Sequence, residues 1–290
     1  KKSAIRLAEL LLAKGDAKHA CAVAKATLKT HKDDPAVLTL LSRAMLARGM
    51  VPAALKTAKQ AAEQQPESAS AWLQIARAHT AMGDQRLAIE GYRRCLGVDP
   101  QHSAALLGLG GLLVEQREYR GATEVLNRAV KVSPDDPRGH NALAAVHNRL
   151  GRHDKATAAM RAAYKLRPRH PLLLRNLIEV LLDAGRAREA AGFADEMTTL
   201  LGAKGVSETA RVGLRRSLVR TVVIATLAKN VCAGSRDADA VSEQSIAQLR
   251  QRGLAATRAE VTRFAAEASG QAKAAIKRCS RPPLKGVSKP

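Results

Sequence analysis

The stretch AWLQIARAHTAMGDQRLAIEGYRRCLGVDP, Ala71 to Pro100, carries marker residues that recur along the chain. Gly83 belongs to a column with Gly15, Gly49, Gly151 and Gly185 on a 34-residue grid, broken only at Arg117. Ala88 belongs to an unbroken column with Ala20, Ala54, Ala122, Ala156 and Ala190. Pro100 repeats as Pro66, Pro134 and Pro168, and Ile75 as Leu7, Leu41, Leu109, Leu143 and Leu177. Chance does not put four columns in one register.

Each column has a physical task. A glycine at the end of a first helix takes a left-handed backbone at little cost. The alanine lies where two helices approach too closely for a larger side chain. The proline stops the second helix and opens the next unit. The Leu/Ile column is the core seam of the first helix. The grid predicts helical hairpins repeated end to end.

On these residues the chain resembles the tetratricopeptide repeat family. Trp72, Ile75, Ala76, Gly83, Asp84, Ala88, Tyr92 and Pro100 fall where the signature residues of that family fall. The unit from Ala105 keeps Leu106, Leu109, Gly110, Ala122, Ala129 and Pro134. Six units cover residues 3–200. The end units are the most degenerate: Lys32 and Gly202 replace the proline, and Ile178 stands where a small residue is usual. The resemblance implies an all-α, right-handed superhelical solenoid of about six helix-turn-helix repeats. Its first helices would line a concave groove that takes an extended peptide or a partner's helix.

Beyond Thr198 the grid stops, and residues 205–280 read as a separate basic helical segment. Ser207 and Glu208 mark a helix start. Leu214 to Cys232, Ala240 to Gln251 and Thr257 to Lys277 read as helices, and residues 281–290 as a disordered basic tail. The formal net charge is +22. Residues 1–200 hold 31 basic and 20 acidic residues, and residues 201–290 hold 17 and 6, so charge density is higher in the last third. Arg211, Arg215, Arg216 and Arg220 form one cluster, and Lys273, Lys277, Arg278, Arg281 and Lys285 another. Such clusters suit a solvated surface, an anionic polymer or an anionic membrane, with Leu214 to Lys229 as the helix that would lie on one.

Composition excludes several classes. Aromatic residues make up 2 %, too few for a β-sandwich or a base-stacking platform. No apolar run reaches the roughly 20 residues of a membrane span. The cysteines, Cys21, Cys95, Cys232 and Cys279, form no CxxC pair and read mainly as buried thiols. A Cys232–Cys279 disulfide is the alternative and would require an oxidising compartment. This pattern favours the cytoplasm, with periplasmic or membrane-associated residence as alternatives. Gly108-Leu109-Gly110-Gly111 lies inside a first helix without a strand before it, so it reads as close packing rather than a phosphate loop. His79, His140, His147 and His153 lack zinc spacing, and no catalytic signature or carboxylate pair appears. The sequence therefore predicts no enzyme activity, cofactor, metal or small-molecule substrate.

The columns that the family turns inward give a candidate groove of Arg43, Gln74, Arg77, Thr80, Asn141, Asn148, Arg149, Arg175 and Asn176, with Leu73, Leu107, Gly108 and Gly111 among them. Amide side chains pair with both groups of a peptide bond, and arginine grips carboxylates in two-pronged fashion. The two-carboxylate clamp of chaperone-binding members is not reproduced in any three consecutive units. The leading expectation is a scaffold or adaptor holding an extended or acidic segment of a protein partner. The alternatives are a binder of acidic polysaccharide, nucleic acid or membrane surface, and a recruitment region of a larger enzyme. The sequence leaves open whether solenoid ends stack into an oligomer. The Ala- and Arg-rich composition suggests a bacterial source.

Overall fold

A computed structural model describes residues 1–232, 238–254 and 256–267. These residues are helical, with no strand among them. The contacts divide the chain after Pro134 into two compact units.

The first unit holds four hairpins. They pair α1 (Lys2–Ala13) with α2 (Ala17–Thr30), α3 (Pro35–Ala47) with α4 (Val51–Gln64), α5 (Ala69–Met82) with α6 (Gln85–Val98), and α7 (Ser103–Glu115) with α8 (Tyr119–Val132). The helix starts follow local chemistry. Asp34 accepts hydrogen bonds from the Ala36 and Val37 amides, with Pro35 as the first helical residue. Ser68 accepts from the Ala71 amide. The grid glycines turn the chain, with φ +82° at Gly15, +74° at Gly49 and +83° at Gly83. Arg117, the exception in the column, adopts the same left-handed backbone at φ +62°. The turn geometry is thus imposed by the hairpin and only made cheaper by glycine.

All six grid alanines are 0 % exposed, as close helix approach requires. In the core-seam column Leu41, Ile75 and Leu109 are buried. Leu7 is 49 % exposed, because no earlier second helix covers α1 among the described residues. Gly108 and Gly110 are packing residues. A Cβ at Gly108 would lie 2.3 Å from the Tyr92 ring, and one at Gly110 2.5 Å from Leu126. At Gly111 a Cβ would meet nothing within 4 Å.

The second unit begins with two hairpins, α9 (Pro137–Arg149) with α10 (His153–Leu166), and α11 (Pro171–Asp183) with a broken partner. That partner is α12 (Ala187–Gly192) and α13 (Ala194–Gly202), interrupted at Phe193, whose ring packs edge-on against Tyr164 with centroids 5.9 Å apart. Then come α14 (Glu208–Cys232), α15 (Ala238–Gln251) and α16 (Arg258–Glu267). Helix α14 starts after the predicted Ser207 cap, at Glu208, six residues ahead of the expected Leu214. It packs on α11, α12 and α13, taking the place of a seventh first helix. Leu214, Leu218 and Val222 enter one core with Leu174, Leu177, Ile178 and Leu181. That apolar face is consumed by packing and is not presented outward. The expected helix continuation to Lys277 and the tail 281–290 lie outside the described residues. No helix among the described residues is long and apolar enough to cross a membrane.

Candidate partner-binding groove

Each first helix presents its second, fifth, sixth and ninth residues along one face, since these positions fall within neighbouring turns. In the first unit these faces line a concavity of about 550 Å³. Its walls include Leu40 and Arg43 from α3, Leu73, Gln74 and Arg77 from α5, and Ala104 from α7. Glu9 of α1 stands at one side. Three predicted groove residues, Arg43, Gln74 and Arg77, therefore meet in one site. Thr80 does not join them. Its hydroxyl donates to the Ala76 carbonyl at 2.9 Å and lies 3.4 Å from the Tyr92 hydroxyl.

Gln74 is 3 % exposed, and its Oε1 has no hydrogen-bond partner. The reason is local. The residue that the repeat sets against Gln74 is Thr39, whose hydroxyl donates to the Pro35 carbonyl at 2.7 Å. The second unit resolves the equivalent pairing differently. There Asn176 Nδ2 donates to Asn141 Oδ1 at 2.9 Å.

The remaining groove residues of the second unit are largely paired as well. Asn148 Nδ2 donates to Asp183 at 2.7 Å, and His153 Nδ1 lies 3.1 Å from Asn148 Oδ1. Arg175 donates to Asn176 at 3.3 Å and lies against Gly213 of α14, where a Cβ would sit 3.1 Å from its Nη1. Arg149 is exposed. Of the nine predicted residues, Arg43, Gln74 and Arg77 thus meet in the first-unit concavity, and Asn141, Asn148, Arg175 and Asn176 of the second unit are hydrogen-bonded to neighbouring side chains.

The predicted arginine cluster of α14 is engaged in the same way. Arg215 makes a two-pronged contact with Glu260 at 3.0 and 3.2 Å. Arg220 pairs with Glu179, which also accepts from Ser217 at 3.0 Å. Arg211 donates to the Ala203 carbonyl at 3.1 Å and lies 3.9 Å from Glu208. Arg216 is exposed, and the Arg211 and Arg215 side chains are 40 % and 42 % exposed beside their partners. Lys273, Lys277, Arg278 and Cys279 lie outside the described residues, as does the side chain of Cys232, so the proposed disulfide does too. Cys21 and Cys95 are buried free thiols. Burial, then the nearby Asp99 charge, pushes Cys95 up to about 12, which keeps it a protonated, unreactive thiol. No group of three or more His, Cys, Asp or Glu among the described residues is placed to hold a metal ion.

Sequence reasoning missed Ser68, Ser70 and His102, which also line the concavity. The grid carries a signal for His102. It occupies the helix-cap column of Asp34, Ser68 and Asp136, yet its side chain makes no cap bond.

A tetratricopeptide repeat family model matches residues 2–201, about two thirds of the chain. The chain belongs to the tetratricopeptide repeat (TPR) family. TPR proteins in general mediate protein–protein interactions and are non-enzymatic scaffolds. Solved TPR structures share the fold. PilF of Pseudomonas aeruginosa is 21 % identical with TM-score 0.58, covering 80 % of this chain and 97 % of its own. A thermophilic TPR protein of Thermus thermophilus is 24 % identical with TM-score 0.56, covering 62 % and 98 %. A TPR protein of Parabacteroides merdae is 17 % identical with TM-score 0.55, covering 94 % and 98 %. Among curated proteins none matches.

Proposed function

We propose that this TPR protein is a non-enzymatic scaffold or adaptor that holds an extended or acidic segment of a partner protein in the groove of its first unit. The observation that carries this reading is the roughly 550 Å³ concavity that Arg43 and Arg77 line together with Gln74, whose buried Oε1 has no hydrogen-bond partner. A buried polar atom without a partner is costly, and a bound peptide supplies one. The charge of the α14 cluster is largely balanced by Glu179, Glu208 and Glu260, which argues against that cluster as a polyanion grip.

The test is affinity capture from source-cell extract with and without nuclease, at low and high salt. Three baits are compared: the natural chain, the double variant Arg43→Glu/Arg77→Glu, and a control that reverses Lys56 and Lys59 on a second helix. The expected result is a discrete protein set retained by the natural chain and the control, and lost by the groove variant. Retention of the same proteins by the groove variant contradicts the assignment. Capture of heterogeneous nucleic acid or polysaccharide that washes away with salt would move the function to a polyanion.

A further inference from the structure

We infer that the groove of the first unit reads an internal acidic pair, two carboxylates two residues apart on one extended segment, with Gln74 pairing the main chain between them. The inference rests on the peptide-binding reading above and adds the ligand chemistry.

Three observations define it. First, Arg43 and Arg77 occupy the same position in consecutive repeats, on helices α3 and α5 that touch. Neighbouring helix axes lie about 8–10 Å apart. An extended chain rises about 3.3 Å per residue and points alternate side chains the same way, so residues two apart stand roughly 7 Å apart. Flexible arginine stems bridge that difference. Adjacent acids face opposite ways and satisfy only one arginine.

Second, Gln74 lies one turn from Arg77 on α5, and its Oε1 is buried without a donor. Thr39 has spent its hydroxyl proton on Pro35. A main-chain N–H of the ligand is the donor that fits a glutamine oxygen, and the glutamine amide returns a bond to the adjacent carbonyl. The contrast with Asn141, whose Oδ1 accepts from Asn176, marks the Gln74 oxygen as an acceptor left without a donor.

Third, the first turns of α3, α5 and α7 open on the concavity at Ala36, Ser70 and Ala104. Helix N-termini carry partial positive charge and favour carboxylates. Glu9 closes the far side and opposes a third acid beyond Arg43, so the site selects a pair and not a long acidic run. Lining residues from four first helices make the site a trough that a chain passes through, which favours an internal segment over a free C-terminus.

The test uses the full chain and fluorescein-labelled short peptides, acetylated and amidated, in a Gly/Ala/Ser background. One peptide has two aspartates separated by one residue. A second has them adjacent, a third has asparagines in their place, and a fourth has a free C-terminal carboxylate as its only acid. Anisotropy titration is expected to show the spaced pair binding about tenfold tighter than each of the others. Arg43→Gln and Arg77→Gln are each expected to weaken the spaced pair about tenfold. Gln74→Leu is expected to weaken it similarly while the melting temperature of the free protein holds or rises, because an unpaired buried acceptor is replaced by an apolar group.

Equal binding of the asparagine peptide, preference for adjacent acids or for the free C-terminus, or no binding of the spaced pair overturns the inference. So does a fall in melting temperature with Gln74→Leu, which would make Gln74 a structural residue. If the peptides fail while Arg43→Glu/Arg77→Glu still loses captured proteins, the acidic-pair chemistry is wrong and the groove reading stands. If that variant keeps its proteins, both fall.

Discussion

Leu41→Ala is expected to destabilise the first unit by about 3 kcal/mol, while Leu7→Ala, in the same repeat column, costs less than about 1 kcal/mol. The difference is burial. Leu41 is 4 % exposed inside a cluster with Ala8, Ala20, Cys21 and Ala44, and its removal leaves a cavity. Leu7 is 49 % exposed, so truncation mostly deletes surface already in water. Urea unfolding followed by Trp72 fluorescence reads both variants. Trp72 is suited to this because its Nε1 donates to the Pro66 carbonyl at 2.8 Å and the Arg94 guanidinium lies 4.7 Å from its ring centroid. Equal losses from the two variants would mean that something covers α1 in solution.

Gly108→Ala is expected to cost about 2 kcal/mol, and Gly111→Ala to stabilise by about 0.5–1 kcal/mol. Both glycines lie in α7, where alanine is the better helix former. The added Cβ decides the sign. At Gly108 it would reach within 2.3 Å of Tyr92, a ring that is itself 4 % exposed and has little room to retreat. At Gly111 it would enter open space. Thermal melts of the two variants test the pair. Stabilisation by Gly108→Ala would show that the Tyr92 ring gives way freely.

These contrasts mark what a repeat grid conveys. It conveys position: the grid placed the hairpins, their turns and the alanine contacts, because each depends on a residue type recurring at fixed spacing. Arg117 shows that the position matters more than the residue, since it keeps the left-handed turn without glycine. The grid does not convey partnership. Gly108 and Gly111 look alike in GLGG, and only the Tyr92 ring from the preceding hairpin separates them. The same holds in the groove. Gln74 and Asn176 share a column, but one faces a threonine turned to its own helix and the other an asparagine that pairs with it. Arg215 and Arg220 read as free cations until folding brings Glu260 and Glu179 beside them. Helices α12 and α13 end two residues beyond the grid and the turn before α14 adds one more, so this further first helix starts at Glu208 instead of the grid position 205 and falls out of the columns.

The proposed partner site lies in the groove of the first unit, whereas Asn141, Asn148, Arg175 and Asn176 of the second unit are hydrogen-bonded to neighbouring side chains. The most direct measurement is site-specific photo-crosslinking, with a benzophenone residue placed at Ser70 or Ala104 in the first groove, or at Ala145 or Arg149 in the second unit. Irradiation of each full-length variant with the captured partner should give crosslinked product from Ser70 and Ala104 and little from Ala145 or Arg149. Crosslinks confined to Ala145 and Arg149 would contradict the account and move the binding site to the second unit.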